Sequence, residues 1–373
     1  MVKQRKDSAA KTKGRKSIRP ALIASERTMS EYSINLHHLL VGLADESIQP
    51  ALVCRPGSNP APVVPPRAEI INHPAFELPL MGRQNKKILV ERLEKFGPTV
   101  LHCLCESKAK LTRQLARQLD LPYVVTVNSL QKGFRQLAVS ARRCAKIIVP
   151  AKSIASNIAK VYPRLAGQIE QINIGTFATE TVRCFEKTGR QGCIVTTHRL
   201  EDVDDFENLF NAVRHLAIDG YEFMLVTAGG GREESKVRRL LSTFGLLQTV
   251  IIVPRLKPLR SVIDACDIFV QPTANYVFDQ TLLEAMSAGV AVASCKGGVD
   301  DLIIEGQTAV VFDGGDELSI YSTLQQLFDR PELAQQIARG AQDYVRKNHT
   351  VSKMVADTLR SYLDAERWYR SKT

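Results

Sequence analysis

The chain has 373 residues, 44% of them hydrophobic and 24% charged, with a formal net charge of +11. At about 150 residues per domain this length suggests two domains, each able to bury its own core. The apolar share is ordinary for a globular protein, and no apolar run approaches the ~18 residues that a membrane-spanning helix needs.

The charge is uneven. Residues 1–19 carry eight Lys or Arg against the single Asp7, a net +7. Such a segment is too polar to fold alone. It reads as a disordered solubilising tail, or as a weak contact with anionic lipid headgroups at about 1 kcal/mol per basic residue. Aromatic residues do not interleave with the basic ones, so no nucleic-acid partner is expected. No apolar stretch follows the charges, so the segment does not read as a secretion signal. The expected location is cytoplasmic, peripheral at the inner membrane face. Eight cysteines are scattered with no CxxC pair. They read as reduced core thiols, and no metal site is expected.

After the tail, strand and helix patterns alternate. Apolar strands are expected at 21–24, 51–54, 99–103, 123–127, 146–149 and 169–174. Between them come helical spacings at 31–44, 84–96, 107–119, 133–143 and 151–162, and a Pro-rich loop at 56–66. Residues 176–191 are polar and weakly patterned, and read as a linker. A second series follows, with strands at 193–196, 222–226, 250–253, 268–270, 290–294 and 309–312. Its helices are expected at 205–217, 232–243, 258–265, 281–288, 316–328 and 331–347, and an amphipathic helix at 350–369 closes the chain. Strands alternating with helices specify parallel sheets.

The most informative stretch is 267–301. A short strand stops at Pro272, a helix over 281–288 ends at Gly289, and a second strand runs into Cys295-Lys296-Gly297-Gly298. Gly289 suits a helix end that needs positive φ. Both loops that follow strands fall at the carboxyl edge of the sheet, where open α/β sheets bind ligands. Glu284 is an acid inside an otherwise apolar helix.

The run LLEAMSAGVAVASCKGG over 282–298 resembles the donor-site signature of GT-B-fold glycosyltransferases of the large family 4. That signature has two glutamates eight apart, then small residues, an apolar strand and a Gly-Gly pair. The resemblance covers about 20–370 and is strongest over 193–313. It implies an α/β GT-B fold, with two Rossmann-like domains facing across a cleft and a C-terminal helix crossing back to the first. The expected division is a tail at 1–19, an acceptor domain at 20–175, the linker at 176–191, a nucleotide-sugar donor domain at 192–349 and the crossing helix at 350–373. The implied activity is hexosyltransferase-like. A sugar would pass from a nucleotide-diphosphate donor to a glycan, lipid or small-molecule acceptor, with retention and no metal or other cofactor. The implied setting is cell-envelope polysaccharide synthesis.

The resemblance also assigns roles. Glu284, beside Leu283, would bind the donor ribose. Arg199 matches the arginine that grips the diphosphate. Gly229, Gly230 and Gly231 match a glycine loop whose backbone amides face the ligand. Gly297 and Gly298 match the Gly-Gly pair. Tyr276 stands where the first glutamate reaches the sugar, and Asp279 reads as a helix cap or a replacement carboxylate. The lysine expected after Arg199 is Asp204, so Lys296, Lys257 and Arg255 are candidates for the missing charge. In the first domain, Met29-Ser30-Glu31-Tyr32 replaces a usual glycine pair, Leu104 a second histidine, and Asn128 another histidine. His102 and Asn128 are the catalytic candidates there, and His102 also reads as a core histidine. Three functions are open. They are an active transferase, a catalytically degenerate GT-B binding module, and a sugar epimerase of the same architecture, for which no acid/base set is visible.

Overall fold

The computed structural model describes residues 18–58, 65, 68–73, 81–132, 137–186, 189–254 and 259–372. The basic segment 1–17, most of the Pro-rich loop, and the candidate cations Arg255 and Lys257 lie outside the described residues.

The first lobe runs β1 (Pro20–Ile23), α1 (Glu26–Glu31), α2 (Ser33–Asp45), β2 (Ala51–Cys54), β3 (Glu69–Asn72), α3 (Met81–Phe96), β4 (Val100–Cys103), α4 (Ala109–Gln118), β5 (Tyr123–Thr126), β6 (Cys144–Val149), α5 (Lys152–Val161) and β7 (Ile169–Gln171). All pairings are parallel, in the order β3-β2-β1-β4-β5-β6-β7. The second lobe runs β8 (Gly192–Thr196), α6 (Asp204–Ile218), β9 (Phe223–Ala228), α7 (Glu234–Thr243), β10 (Val250–Val253), α8 (Arg260–Ile263), β11 (Ile268–Gln271), α9 (Gln280–Ala288), β12 (Ala291–Cys295), β13 (Val310–Phe312), α10 (Glu317–Asp329) and α11 (Pro331–Asn348). Its sheet is also parallel, in the order β10-β9-β8-β11-β12-β13. The final helix α12 (Val351–Arg370) leaves the second lobe and packs on α2, β4, β5 and β6 of the first.

These sheets are covered on both faces, so their inner strands are mostly apolar, with His102 in β4 and Lys146 in β6 among the exceptions. Strand β3 has one buried residue, Ile71, between exposed neighbours. Its sequence carries no apolar run, and it was not expected. The helix expected at 133–143 is not formed over 137–143, where residues 137–140 are irregular and 141–143 turn; residues 133–136 lie outside the described part. Residues 176–186 form no helix or strand. They are tied to the second lobe, with Thr179 N donating to Ser287 O at 2.9 Å and Arg183 N to Gly289 O at 3.0 Å.

In each sheet the strand order reverses beside the first strand, between β1 and β4 and between β8 and β11. Crevices at such switch points open at the carboxyl ends of the strands. The two face each other. The chain crosses between the lobes twice, and the crossings touch. Thr176 N donates to His349 O at 2.9 Å, and a Cβ on Gly175 would lie 2.6 Å from Val351 backbone. Asp301 of the second lobe caps α5 of the first, its carboxylate accepting from Ser153 N at 3.0 Å and from the Ser153 hydroxyl. Helix α5 has no side-chain cap of its own at Ala151.

Candidate functional site

Between the lobes lies a cavity of about 310 Å³. Its floor is the carboxyl ends of β8 and β11, Thr196 and residues 269–271. One wall is the loop 197–201 after β8, another the loop and helix start 272–281 after β11. The third comes from the first lobe, with Arg27, Glu31 and Tyr32.

Helix α1 is built to present that third wall. Ser25 caps it, its Oγ accepting from Thr28 N at 3.0 Å while Thr28 Oγ1 accepts from Ser25 N at 3.3 Å. This reciprocal pair fixes a six-residue helix directly after β1. Tyr32 follows, buried, and its hydroxyl donates to Phe278 O at 3.0 Å across the lobes. Burial pushes the Tyr32 phenol far above its ordinary pKa, so it stays a neutral donor.

The loop after β11 also docks on the first lobe. Leu130 N donates to Tyr276 O at 2.9 Å, Phe278 N to Asn128 O at 2.8 Å, and Ser129 pairs antiparallel with Val277. This seam turns the Tyr276 side chain outward, 60% exposed and off the cavity wall. Asp279 does line the cavity. It caps α9, one oxygen accepting from Thr281 N at 2.8 Å and Leu282 N at 3.1 Å, and the other from Asn275 Nδ2 at 3.3 Å. Gly289 ends the helix at φ 77°, as its sequence expects.

Arg199 lies on the cavity wall, 59% exposed, with its guanidinium on Glu31 of the opposite lobe. The glycine loop lies behind it. Cβ atoms on Gly229 and Gly231 would meet His198 O at 2.6 Å and Leu200 O at 2.0 Å, while Gly230 has open space. Two of the three glycines therefore let the Arg199 loop lie flat on their backbone. Gly298, at φ 72°, abuts Asn275 O in the same way, at 2.2 Å from a built Cβ. Lys296 is off the cavity, paired with Glu305 at 3.2 Å. Asp204 begins α6, where a carboxylate suits the helix dipole. The neighbouring Asp205 lines the cavity and accepts from His198 Nε2 at 2.9 Å.

Glu284 is 4% exposed and lies behind the cavity. One oxygen accepts from Thr176 Oγ1 at 2.6 Å. The other takes Arg260 Nη1 at 3.1 Å, and Arg260 also donates to Ser287 Oγ at 2.7 Å and Asp264 at 2.8 Å. Leu283 is a fully buried core side chain. His102 and Asn128 sit in the first lobe, on a separate cavity of about 50 Å³ beneath Tyr32. His102 is a core histidine, with Nδ1 2.7 Å from Tyr362 Oη and Nε2 2.7 Å from Thr126 Oγ1. Burial lowers its pKa to about 3.

Arg27, Thr196, Gln271, Thr176 and Arg260 were not singled out from the sequence, and Glu31 was noted only within the segment that replaces a glycine pair. Thr196 Oγ1 and Gln271 Oε1 are buried on the cavity floor without a protein partner among the described residues. Their only sequence signal is a polar residue closing an apolar strand. Among the described residues, no group of three His, Cys, Asp or Glu is arranged to hold a metal ion.

The paired switch-point crevices, the crossing C-terminal helix and a cation on the cleft wall define a two-lobed α/β architecture of the GT-B type. The model of glycosyl transferases group 1 matches residues 180–344, and that of glycosyltransferase family 4 matches residues 34–176. A glycosyltransferase from Rickettsia africae superposes with a TM-score of 0.76 at 14% identity, over 94% of this chain and 99% of that one. HepE of Anabaena, solved in complex with UDP-glucose, gives 0.76 at 13%, over 92% and 100%. A D-inositol 3-phosphate glycosyltransferase of Stackebrandtia nassauensis is 32% identical over 150 residues, which is 38% of this chain and 33% of that relative. The chain spans a fifth to two fifths of the length of the curated relatives it matches. The chain belongs to the GT-B glycosyltransferases of the family 4 type.

Proposed function

We propose that this protein transfers a sugar from a nucleoside-diphosphate sugar to a hydroxyl-bearing acceptor, with retention and without a metal ion. The observation that carries the reading is the interlobe cavity at the β8–β11 switch point with Arg199 on its wall. A leaving diphosphate needs cations placed where its charge develops, and a guanidinium matches phosphate oxygens in a fork. Thr196 and Gln271 offer hydrogen-bonding atoms to sugar or phosphate groups on the floor. That HepE binds UDP-glucose in the same fold supports a nucleotide-sugar donor.

In this reading Glu284 binds the ribose diol, exchanging the Thr176 hydroxyl for a ribose hydroxyl while Arg260 holds its second oxygen. The same proposal puts the protein in the cytoplasm, at the inner membrane face through its basic first residues, in cell-envelope polysaccharide synthesis. Among the described residues no helix is long and apolar enough to cross a membrane.

Calorimetry of the full chain with UDP, GDP, ADP and TDP tests the donor step, followed by turnover with the matching sugars. One nucleotide is expected to bind, with Glu284→Ala weakening it about tenfold or more, the worth of one charged hydrogen bond. Equal binding by wild type and Glu284→Ala removes the ribose assignment. A second reading, a binding module without transfer, is favoured by Tyr276 facing away from the cavity. Turnover with any nucleotide sugar eliminates it.

A further inference from the structure

We infer that Arg27 and Arg199, from opposite lobes, form one phosphate-binding pair, and that Glu31 holds its seat until a nucleoside diphosphate displaces it. The inference rests on the donor reading above and names the second cation of that site.

One oxygen of Glu31 takes Arg27 Nε at 2.5 Å, and the other takes the Arg199 guanidinium. Arg27 and Glu31 are four apart on α1, and such a pair alone is an ordinary helix contact. Arg199 is 168 residues away and on the facing lobe. The Glu31 side chain is only 11% exposed, while the Arg27 and Arg199 side chains are 51% and 59% exposed, and all three residues line the cavity. Two guanidiniums, each on one oxygen of a single anion, reproduce how a phosphate group is held.

The charges around the cavity single out Glu31. Two arginines, Arg27 and Arg199, face four carboxylates, Glu31, Glu201, Asp205 and Asp279. Three of those acids have partners outside the pair. Asp279 caps α9, Asp205 faces His198, and Glu201 faces Arg232 at 3.0 Å. The side-chain partners of Glu31 among the described residues are the cavity's two arginines. A diphosphate entering the cavity therefore competes with one carboxylate. Once that carboxylate swings away, both cations are free for phosphate oxygens. Arg27 then supplies from the first lobe the charge that Asp204 does not supply from the second.

The test is calorimetry of the full chain with UDP, GDP, ADP and the matching monophosphates, for wild type, Glu31→Gln, Arg27→Gln and Arg27→Lys. Removing the competing charge is expected to tighten diphosphate binding about tenfold. Arg27→Gln is expected to weaken the diphosphate about tenfold and the monophosphate less, and Arg27→Lys to recover part of the loss without the fork. Should Arg27→Gln not fold, the graded loss in Arg27→Lys carries the same decision. Wild-type affinity in the Arg27 variants, or weaker binding by Glu31→Gln, overturns the inference and leaves the donor reading standing. Diphosphate binding by Glu31→Gln but not by wild type supports it. No nucleotide binding by either overturns both.

Discussion

His102 shows how a residue that could carry chemistry is spent on architecture. Both ring nitrogens are bonded, to Tyr362 of α12 and Thr126 of β5, and the ring is buried. Its pKa of about 3 lies below the ~6.5 of an unfolded histidine. The unfolded chain therefore binds the extra proton first as pH falls. Stability is complete above about pH 6.5 and declines below it, by up to about 1.4 kcal/mol per pH unit for this group. Burial moves His349, His38 and His73 the same way. Urea unfolding from neutral to mildly acidic pH checks this. His102→Gln is expected to flatten the decline, and parallel slopes for the two proteins would refute the assignment. At this scale the sequence showed which residues were unusual, Glu284 and Asp279 among them. It did not show the partners of Glu284, because Thr176 lies 108 residues away and Arg260 24.

The glycine loop makes the corresponding case for an element. From sequence it read as a cradle for a ligand; in the structure it is first a bed for the backbone of 198–200. Gly231→Ala is expected to cost about 1–3 kcal/mol, since a methyl group would meet a carbonyl oxygen that cannot yield without moving Arg199. Gly230→Ala, with open space around it, should fall within about 0.5 kcal/mol of wild type. Chemical denaturation of both variants distinguishes the two environments, and nucleotide binding should weaken only in the first. Strong periodicity made most elements legible, including α9 with its Asp279 cap and Gly289 end. Edge strand β3 was not, because one buried residue in four leaves no apolar run. Helix α1 was not expected either: the helix read from the spacing began only at residue 31, because a six-residue helix is too short to show a period.

At the scale of the whole molecule, the lobes are joined where Gly175 meets Val351 and where Asp301 caps α5. Gly175→Ala would force the two crossings apart. It is expected to lower the melting temperature, with the first lobe separating as an earlier calorimetric transition. A single unshifted transition would show that the crossings bear no such strain. The two-lobed plan followed from strand and helix alternation and from the 282–298 signature. The cavity's first-lobe wall did not, because Arg27 and Glu31 acquire meaning only when α1 faces Arg199.

Helix α12 has a consequence for the order in which the protein is made. Met354, Val355, Tyr362 and Ala365 sit in the same buried cluster as Leu22, Leu40 and Val124 of the first lobe, and Gly42 on α2 leaves no room for a Cβ beside Val355. The first lobe is thus assembled from the earliest and the latest parts of the chain. At roughly 5–20 residues per second on the ribosome, it waits many seconds with the part of the sheet face beside α2 that α12 will cover still open, while the second lobe is synthesised. The lobe begun first is therefore finished last, and part of its apolar face stays open until α12 is made.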